Sequence, residues 1–489
     1  MPDPRHALQA TFEPSRRYAH YGDVLLRLHI KGFRNHTDTL LTIESPVTAL
    51  CGVNGTGKST VLQLAAGAYQ AGPGQRYYIS SFILAGSLDS KPFRDDASVE
   101  FIYAEPPASS GTHPERRLTL SRSGSSWSGY DRQPTRSVSY FGSGFYVPHA
   151  ERDANFKALF GDTTFTARSR QQLEAKVIEQ ISAILLCKYD AAHLNAMRKK
   201  YARRHTNLIS AKREGGGEYS EANMGFGEAR LYALVTHIEA IPEKSLVLIE
   251  EPETALHPCA QFEMGKYLVE VAMRRKLQII LTTHSEYVLL AFPQKSRIYL
   301  KREGAGVVPI HGIGVRQAVS MMDNLAIPAV YVVVEDDVGE AIVTELLRKH
   351  DADFLKTARI VIGGDKDRIQ QMMAVFNDQK IPICAVRDGD CGDDRARQMF
   401  KLFGKEAPEK EIFASEVFRK QFADLHGVDW DAADIANRSQ DHHRWFDVLE
   451  KQTARKRPEL LPLAARAYLE GVPESERQAL VDQIKASVP

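Results

Sequence analysis

The segment GVNGTGKS, Gly52 to Ser59, sits between an apolar run and an amphipathic helical pattern, and few short stretches restrict a fold as strongly. Gly52, Gly55 and Gly57 let the backbone turn so that successive N–H groups point inward around an anion, and the helix that follows adds the positive end of its dipole. Lys58 is placed to reach the outer phosphates of a nucleoside triphosphate. Ser59 would put its hydroxyl on Mg²⁺, while Thr60 caps or packs. Asn54, Gly55, Gly57, Lys58, Ser59 and Thr60 are therefore the expected nucleotide-binding residues of this loop. LTIESPVTALC before it reads as strand and STVLQLAAGAY after it as helix, so the loop belongs to an α/β domain.

A second segment, SLVLIEEPETALHP from Ser245 to Pro258, supplies what such a loop needs for hydrolysis. Leu246 to Ile249 suit a buried parallel strand, and two carboxylates follow at its C-terminal end, where ligands bind in open α/β sheets. Glu250 would hold the Mg²⁺ shell through water, and Glu251 would orient or deprotonate the attacking water. A third strand pattern, LQIILTTHS, ends in His284, placed to contact the γ-phosphate.

Four segments, VLLRLHIKGFRNHTDTLLTIESPVTALCGVNGTGKST, NMGFGEARL, LVLIEEPETALHP and LTTHS, occur in the order of the ABC-type ATPases. They resemble in particular the branch that holds the recombination and SMC-like enzymes and the ATPase domains of OLD (overcoming lysogenization defect) proteins. The resemblance covers roughly residues 23 to 325 and implies ATP as ligand and a homodimer or higher even-numbered oligomer. In that family NMGFGEARL is the signature motif that closes over the partner's nucleotide, which adds Gly225, Gly227 and Glu228 to the implied ATP contacts. Gly225 stands where the family usually has a serine, and Glu250 where an aspartate is usual. Backbone N–H groups at Gly225 and Gly227 can still bind phosphate, with slow hydrolysis as the expected outcome.

At 489 residues the chain exceeds what one core usually supports, so it is expected to divide. We read residues 1–22 as a loose extension, 23–325 as the ATPase domain with an antiparallel layer over 75–150 and a helical insertion over about 163–218, 326–430 as a second α/β domain, and 431–489 as a helical C-terminal region. In the insertion, RQQLEAKVIEQISAILLCKYDAAHLNAMRKKYARRH shows apolar residues at three and four spacing and ends in Arg198, Lys199, Lys200, Arg203 and Arg204. That basic run reads as a solvated helix face before a nucleic-acid contact. A net charge of +1 gives no global attraction for nucleic acid, so any such binding rests on local patches. Five cysteines without CxxC pairs, no apolar run of membrane-spanning length and no signal-peptide core point to the cytoplasm.

The second α/β domain carries its own chemistry. AVYVVVEDDVGEAIVTELLRKH, ARIVIGGDKDRIQQMMAVFNDQK and IPICAVRDGDCGDD alternate strand and helix, with Glu335, Asp388 and Asp390 at strand ends. Such hard oxygen donors suit Mg²⁺ or Mn²⁺. The arrangement resembles a Toprim domain over roughly 328 to 400: a glutamate after the first strand, a glycine turn at Gly363 and Gly364, and an Asp-x-Asp after the third. The usual glycine after the glutamate is Asp336 here; Asp337 or Glu340 would supplement the metal shell. LFGKEAPEKEIF resembles the region where OLD-type Toprim domains add an acid, which makes Glu409 a further metal ligand with Glu411 as its rival and leaves Lys410 as a surface lysine. Asp441, His442, His443 and Asp447 invite a zinc reading, but adjacent histidines diverge by about 100° on an α-helix, which makes joint ligation awkward, so a polar helix face or partner surface is expected in its place.

An ABC-type ATPase followed by a Toprim domain resembles an OLD-family protein. The resemblance implies an ATP-gated, metal-dependent nuclease of anti-phage defence acting on DNA or tRNA, in which Glu251, His284, Glu335, Asp388 and Asp390 are catalytic. Two rival expectations stand beside it. One is an ATP-driven sensor or scaffold that recruits or releases a partner protein encoded nearby; the other is an SMC-like DNA-repair ATPase.

Overall fold

A computed structural model of the chain divides into two compact units, Met1–Ile313 and Gly314–Pro489. It describes residues 4–70, 77–84, 88, 92–108, 111–124, 126–142, 144, 165–199, 206–323 and 328–488.

Unit one contains strands β1 (Leu25–Phe33), β2 (His36–Thr42), β3 (Val47–Cys51), β4 (Phe93–Ala104), β5 (Glu115–Ser123), β6 (Ser126–Ser128), β7 (Val138–Phe141) and β8 (Phe165–Gln172). Then follow β9 (Tyr189–Lys199), β10 (Thr206–Arg213), β11 (Glu218–Ser220), β12 (Leu246–Glu250), β13 (Gln278–Thr282), β14 (Arg297–Glu303) and β15 (Gly306–His311). The main sheet runs β15-β14-β3-β13-β12-β7 and is parallel except for the β14–β15 pair. Every residue of β3 and β13 is buried, which is why VTALC and QIILT read as unbroken apolar runs: both faces of these strands are covered. A second, antiparallel sheet, β2-β1-β4-β5-β6, takes three strands from the 75–150 stretch expected to form such a layer and two from before it, while β7 of that stretch joins the main sheet. Its Leu28, Ile30, Val99 and Phe101 share one core with Val61, Leu64 and Ala65 of the Lys58–Ala66 helix and with Leu248 and Ile280 of the main sheet.

Two expectations for unit one are corrected. The segment before Val24 is not a loose extension. It forms helices Pro4–Thr11 and Pro14–Tyr21, held by the buried Leu8, Phe12 and Tyr21, the second opening on a proline in its first turn. The insertion at 163–218 is not helical as a whole. Its one helix over the described residues, Ala175–Leu185, stops where Leu186 turns left-handed at φ 53°. The rest is an antiparallel sheet, β11-β10-β9-β8. Ala, Leu and Met in DAAHLNAM favour helix locally, but pairing on both sides, with buried Ala192 opposite buried Ala211, overrides that preference. The backbone of Arg198 and Lys199 closes β9, and Lys200, Arg203 and Arg204 lie outside the described residues.

Unit two is a parallel sheet, β17-β16-β18-β19, of strands β16 (Val330–Val334), β17 (Ala358–Ile362), β18 (Ile383–Arg387) and β19 (Met399–Lys401). Ile369 and Met373 of the Lys366–Asp378 helix cover one face against Val333, Ile383 and Ala385. On the other face Val332 and Val334 pack with Ile342 and Leu346 of the Asp337–His350 helix. Leu460, Leu461, Ala464, Leu480 and Ile484 belong to that same core, so the helices Arg457–Gly471 and Glu474–Ala486 complete this unit instead of forming a region of their own. Pro458 and Pro473 mark their starts, where a missing N–H costs nothing. The Val315–Asp323 helix, expected in the ATPase domain, falls in this second unit. No described helix is long and apolar enough to cross a membrane.

Candidate functional sites

Because β3, β13 and β12 are parallel neighbours, their C-terminal ends lie side by side, and the three expected segments of unit one meet there. Gly52, Gly55 and Gly57 have φ of 141°, 79° and 85°, open to glycine and strained for other residues. Two of the three have no room for a side chain: a Cβ at Gly52 would stand 2.7 Å from the Leu300 carbonyl oxygen, and one at Gly57 2.3 Å from His36 Nε2, which lies 3.1 Å from the Gly57 carbonyl oxygen. Lys58 is buried, and its ammonium donates to the carbonyls of Gly52 (2.8 Å) and Val53 (3.1 Å). Burial lowers its pKa, with Glu251 the chief opposing influence. Asn54, Gly55 and Ser59 are exposed on the loop, whereas Thr60 is 2% exposed and takes a hydrogen bond from Arg34 at 3.3 Å. Thr60 thus anchors the helix and is corrected as a nucleotide contact.

Glu250 ends β12 and accepts a hydrogen bond from the Tyr140 hydroxyl at 2.8 Å. Glu251 is left-handed at φ 44°, its N–H held by the Thr282 carbonyl at 3.0 Å, and its half-exposed carboxylate lies 3.8 Å from His284 Nε2. Sequence reasoning missed the acid that fixes this pair. Glu253 Oε1 accepts from the Thr283 hydroxyl at 2.7 Å and from the His284 N–H at 2.9 Å, tying the end of β13 to the loop after β12. Burial raises the Glu253 pKa. Arg230 of the Phe226–Ala240 helix clasps the same loop through the carbonyls of Glu250, Glu251 and Thr254. Both signals were present as EEPE and GEAR, but only pairing in space gives them meaning.

Gly225 caps the Phe226–Ala240 helix with open space where a Cβ would be, and the first N–H groups of that helix have no intrahelical acceptors. Gly227 lies beneath the Ala255 carbonyl, where a Cβ would come within 2.2 Å. Glu228 is corrected. It is buried and accepts from Tyr189 at 2.6 Å, Tyr219 at 2.5 Å and Arg213 at 2.9 Å, which joins the β9–β11 sheet to the signature helix and leaves its carboxylate committed.

In unit two, β16 and β18 are parallel neighbours, so Glu335 and Asp388 emerge together: the Asp388 N–H donates to Glu335 Oε1 at 3.2 Å. Asp388 Oδ1 is buried without a hydrogen-bond partner. Its pKa is pushed up to about 8, first by burial and then by Glu335, Asp336, Glu409 and Asp390. Those five carboxylates therefore share one field. Asp390 is exposed at its edge. Gly389 between the aspartates has no room for a side chain, since a Cβ would meet the carbonyl oxygens of Phe403 and Glu406 at 2.9 Å. That contact draws the segment leading to Glu409 onto the cluster.

Glu409 and Glu411 differ in what their carboxylates meet. Glu411 Oε1 accepts the N–H groups of Lys405 (2.7 Å) and Glu406 (3.0 Å) and is spent on that turn. Glu409 has no exposed side-chain surface, its Oε1 lies 2.9 Å from His443 Nδ1, and its Oε2 has no partner. Lys410 pairs with Glu406 at 3.1 Å. Asp336, in the place of a glycine, caps the following helix by accepting the Gly339 N–H at 2.9 Å. Asp337 is corrected as a supplementary metal ligand: Arg457 holds both its oxygens, at 2.6 and 2.8 Å, and lowers its pKa. Glu340 is half-buried in the first turn of that helix. Arg457 went unnoticed in the sequence, and His443 was read as part of a polar helix face, because both come from the segment read as a separate helical region.

Residues 27–81 match a family model described as "AAA domain", and residues 120–291 match one described as "AAA domain, putative AbiEii toxin, Type IV TA system". The first span holds the phosphate loop and the second Glu250, Glu251 and His284. Unit one therefore carries an AAA-type ATPase domain, and ATP binding is expected of it. Similar solved structures include an SMC head domain from Thermotoga maritima, 17% identical over 59% of this chain and 98% of that one, with a TM-score of 0.34. A second is an Smc head bound to the C-terminal winged-helix domain of ScpA, 17% identical over 59% of this chain and 98% of that one, TM-score 0.38. A third, derived from Pyrococcus furiosus, is an Smc head with an extended coiled coil bound to the C-terminal domain of ScpA, 14% identical over 61% of this chain and 98% of that one, TM-score 0.37. At such TM-scores these likenesses add nothing to the topology described above. No curated protein matches the chain.

Proposed function

We propose that this chain is an ATPase whose nucleotide state gates a metal-dependent phosphodiesterase of the OLD type, in prokaryotic anti-phage defence, with DNA or tRNA as substrate. The observation that carries the reading is the field around Asp388, where Glu335, Asp336, Asp390 and Glu409 raise its pKa and one oxygen is buried without a partner. Like charges gathered in a half-buried cleft are costly unless a cation or protons offset them. Hard carboxylate oxygens, that of Asp388 without a partner, fit Mg²⁺ or Mn²⁺, and Glu335, Asp388 and Asp390 would hold the ions, with Glu409 at the rim of the field. When bound, divalent ions supply an activated water and charge neutralisation at a phosphodiester. Asp336 and Gly389 contribute placement, the first by capping its helix and the second by admitting the 403–406 segment.

In unit one, Lys58 would bind the outer phosphates, Ser59 and Glu250 would hold Mg²⁺, and Glu251, steadied beside His284, would orient the attacking water. Self-association through Gly225 and Gly227 would complete the nucleotide site in a partner copy. The toxin description of the family model over 120–291 sits with a defence role.

The test uses purified full-length protein with Mn²⁺ on plasmid, linear DNA and tRNA. Cleavage is expected in the wild type and lost in Asp388→Asn with ATP hydrolysis kept, whereas Glu251→Gln is expected to hold ATP without turning it over. Undiminished cleavage in Asp388→Asn sinks the phosphodiesterase assignment and leaves a nucleotide-driven recruiter, which co-purification of a stoichiometric partner protein would reveal.

A further inference from the structure

Asp441, His442, His443 and Asp447 read in the sequence as a polar helix face, with neighbouring histidines diverging. The structure places the two histidines differently. They lie in a single 3₁₀ turn, His442–Arg444, capped by Asp441, whose side chain accepts the His443 N–H at 3.1 Å. Their rings come together with centroids 4.0 Å apart. Beneath them is Glu409, brought there by the Pro408–Ala414 helix.

One donor atom from each of Glu409, His442 and His443 falls within 4.8 Å of the others. A tetrahedral ion with ligands at about 2.0–2.2 Å holds its donors roughly 3.3 Å apart. The Glu409 Oε1 to His443 Nδ1 separation, 2.9 Å, is already close to that figure, and a side-chain rotation of His442 closes the remainder. Glu409 supplies an independent sign of a ligand: it is fully buried, yet its Oε2 meets no donor. A buried carboxylate oxygen left in that state is costly, and a cation is one of the few groups that satisfies it.

We propose that Glu409, His442 and His443 form a binding site for a transition-metal dication of the Zn²⁺ class, set at the rim of the carboxylate field and chemically distinct from it. The donor set decides the class. Imidazole nitrogen suits Zn²⁺ and its neighbours and is a poor ligand for Mg²⁺, which the all-oxygen group at Glu335, Asp388 and Asp390 would take instead. Three protein ligands leave a fourth tetrahedral position to solvent, the pattern of exchangeable or catalytic zinc in contrast to closed structural sites. The site does not depend on the phosphodiesterase reading, since its ligands act as chelators whether or not nucleic acid is cut.

The experiment titrates chelator-stripped, full-length protein with Zn²⁺ against a chromophoric chelator. Parallel samples carry one equivalent of Cu²⁺ for electron paramagnetic resonance, where nitrogen ligation splits the lines. Wild type and Asp388→Asn are expected to bind one Zn²⁺ per chain and to show the nitrogen splitting. His443→Ala, His442→Ala and Glu409→Gln are each expected to weaken Zn²⁺ about tenfold or more, and each histidine variant to reduce the splitting from a two-nitrogen to a one-nitrogen pattern. His443 is 58% exposed, so its truncation leaves the fold intact, and circular dichroism melts verify this for each variant. Zn²⁺ affinity and nitrogen splitting unchanged in both histidine variants would overturn the site. So would Zn²⁺ binding lost in Asp388→Asn and kept in the histidine variants, which assigns the ion to the carboxylates. Failure of nucleic-acid cleavage alone leaves this proposal standing.

Discussion

Glu409 and His443, 34 residues apart, meet with Oε1 2.9 Å from Nδ1, joining a carboxylate without exposed surface to an imidazole that is mostly in solvent. The contact raises the His443 pKa. Only one oxygen of Glu409 is served, and the whole group adds negative charge to a field that already burdens Asp388. Without metal, then, Glu409→Gln removes more repulsion than attraction.

Thermal melts in EDTA are expected to show Glu409→Gln as stable as the wild type or more so, with a rise of a few degrees corresponding to about 1 kcal/mol. Added Zn²⁺ is expected to reverse the ranking, since the wild type keeps a donor that the amide replaces poorly. A large fall in melting temperature in EDTA would contradict the picture of an acid held against its neighbours.

Asp388 sets the pH response of metal-free unit two. Its folded pKa, about 8, lies above the ordinary aspartate value, so the folded state binds a proton that the unfolded chain has released. The stability this confers is fully present below about pH 4 and is lost as pH rises through 8. Melts of the EDTA-treated protein are expected to decline between pH 5 and pH 8, apart from the changes other groups impose. In Asp388→Asn that component vanishes. Saturating Mg²⁺ or Mn²⁺ flattens it in the wild type, because the bound ion takes the place of the proton.

Glu228 separates a structural role from a nucleotide role. Removing its carboxylate in Glu228→Ala leaves the buried Tyr189 hydroxyl, the Tyr219 hydroxyl and Arg213 without their shared acceptor. A cost of about 1–3 kcal/mol is expected in urea unfolding of unit one, since a buried donor is orphaned while the Arg213 contact, half in solvent, adds little. Affinity of the monomeric chain for a fluorescent ATP analogue should stay within about twofold, as Lys58 and its loop are untouched. A selective loss of nucleotide binding with unchanged unfolding would restore Glu228 as a ligand.

Legibility in the sequence followed the range of the interactions. The phosphate loop, the acidic strand end after Ile249 and the carboxylates after Val334 and Arg387 were readable because each is a local pattern, an apolar run followed by a polar turn. The sheet at β8–β11 was not, because DAAHLNAM is helical by composition and extended only through its partners on both sides. Arg457, Glu253 and the contact of His443 with Glu409 escaped for a related reason. Each acts on a group distant in sequence, as Arg457 does on Asp337 across 120 positions, and no spacing rule spans such a gap. The choice of Glu409 over Glu411 likewise required knowing which acid the 404–406 turn consumes.

Glu253 gives the sharpest test of how unit one holds Glu251 and His284, the residues proposed to act in ATP hydrolysis. The side chain is buried and accepts from Thr283 and from the His284 N–H. Glu253→Gln keeps an oxygen for both donors and offers an amide at the site of Oε2, so ATP hydrolysis should stay within a few-fold of the wild type. Glu253→Ala orphans two donors and opens a small cavity, with an expected loss of about 2–4 kcal/mol in urea unfolding. It also frees His284 from its position beside Glu251, so the turnover number for ATP should fall at least tenfold while the affinity for ATP, set by Lys58 and the loop glycines, changes little. Rescue by glutamine separates positioning from chemistry: if Glu253→Gln were as slow as Glu253→Ala, the ionised carboxylate itself would take part in hydrolysis.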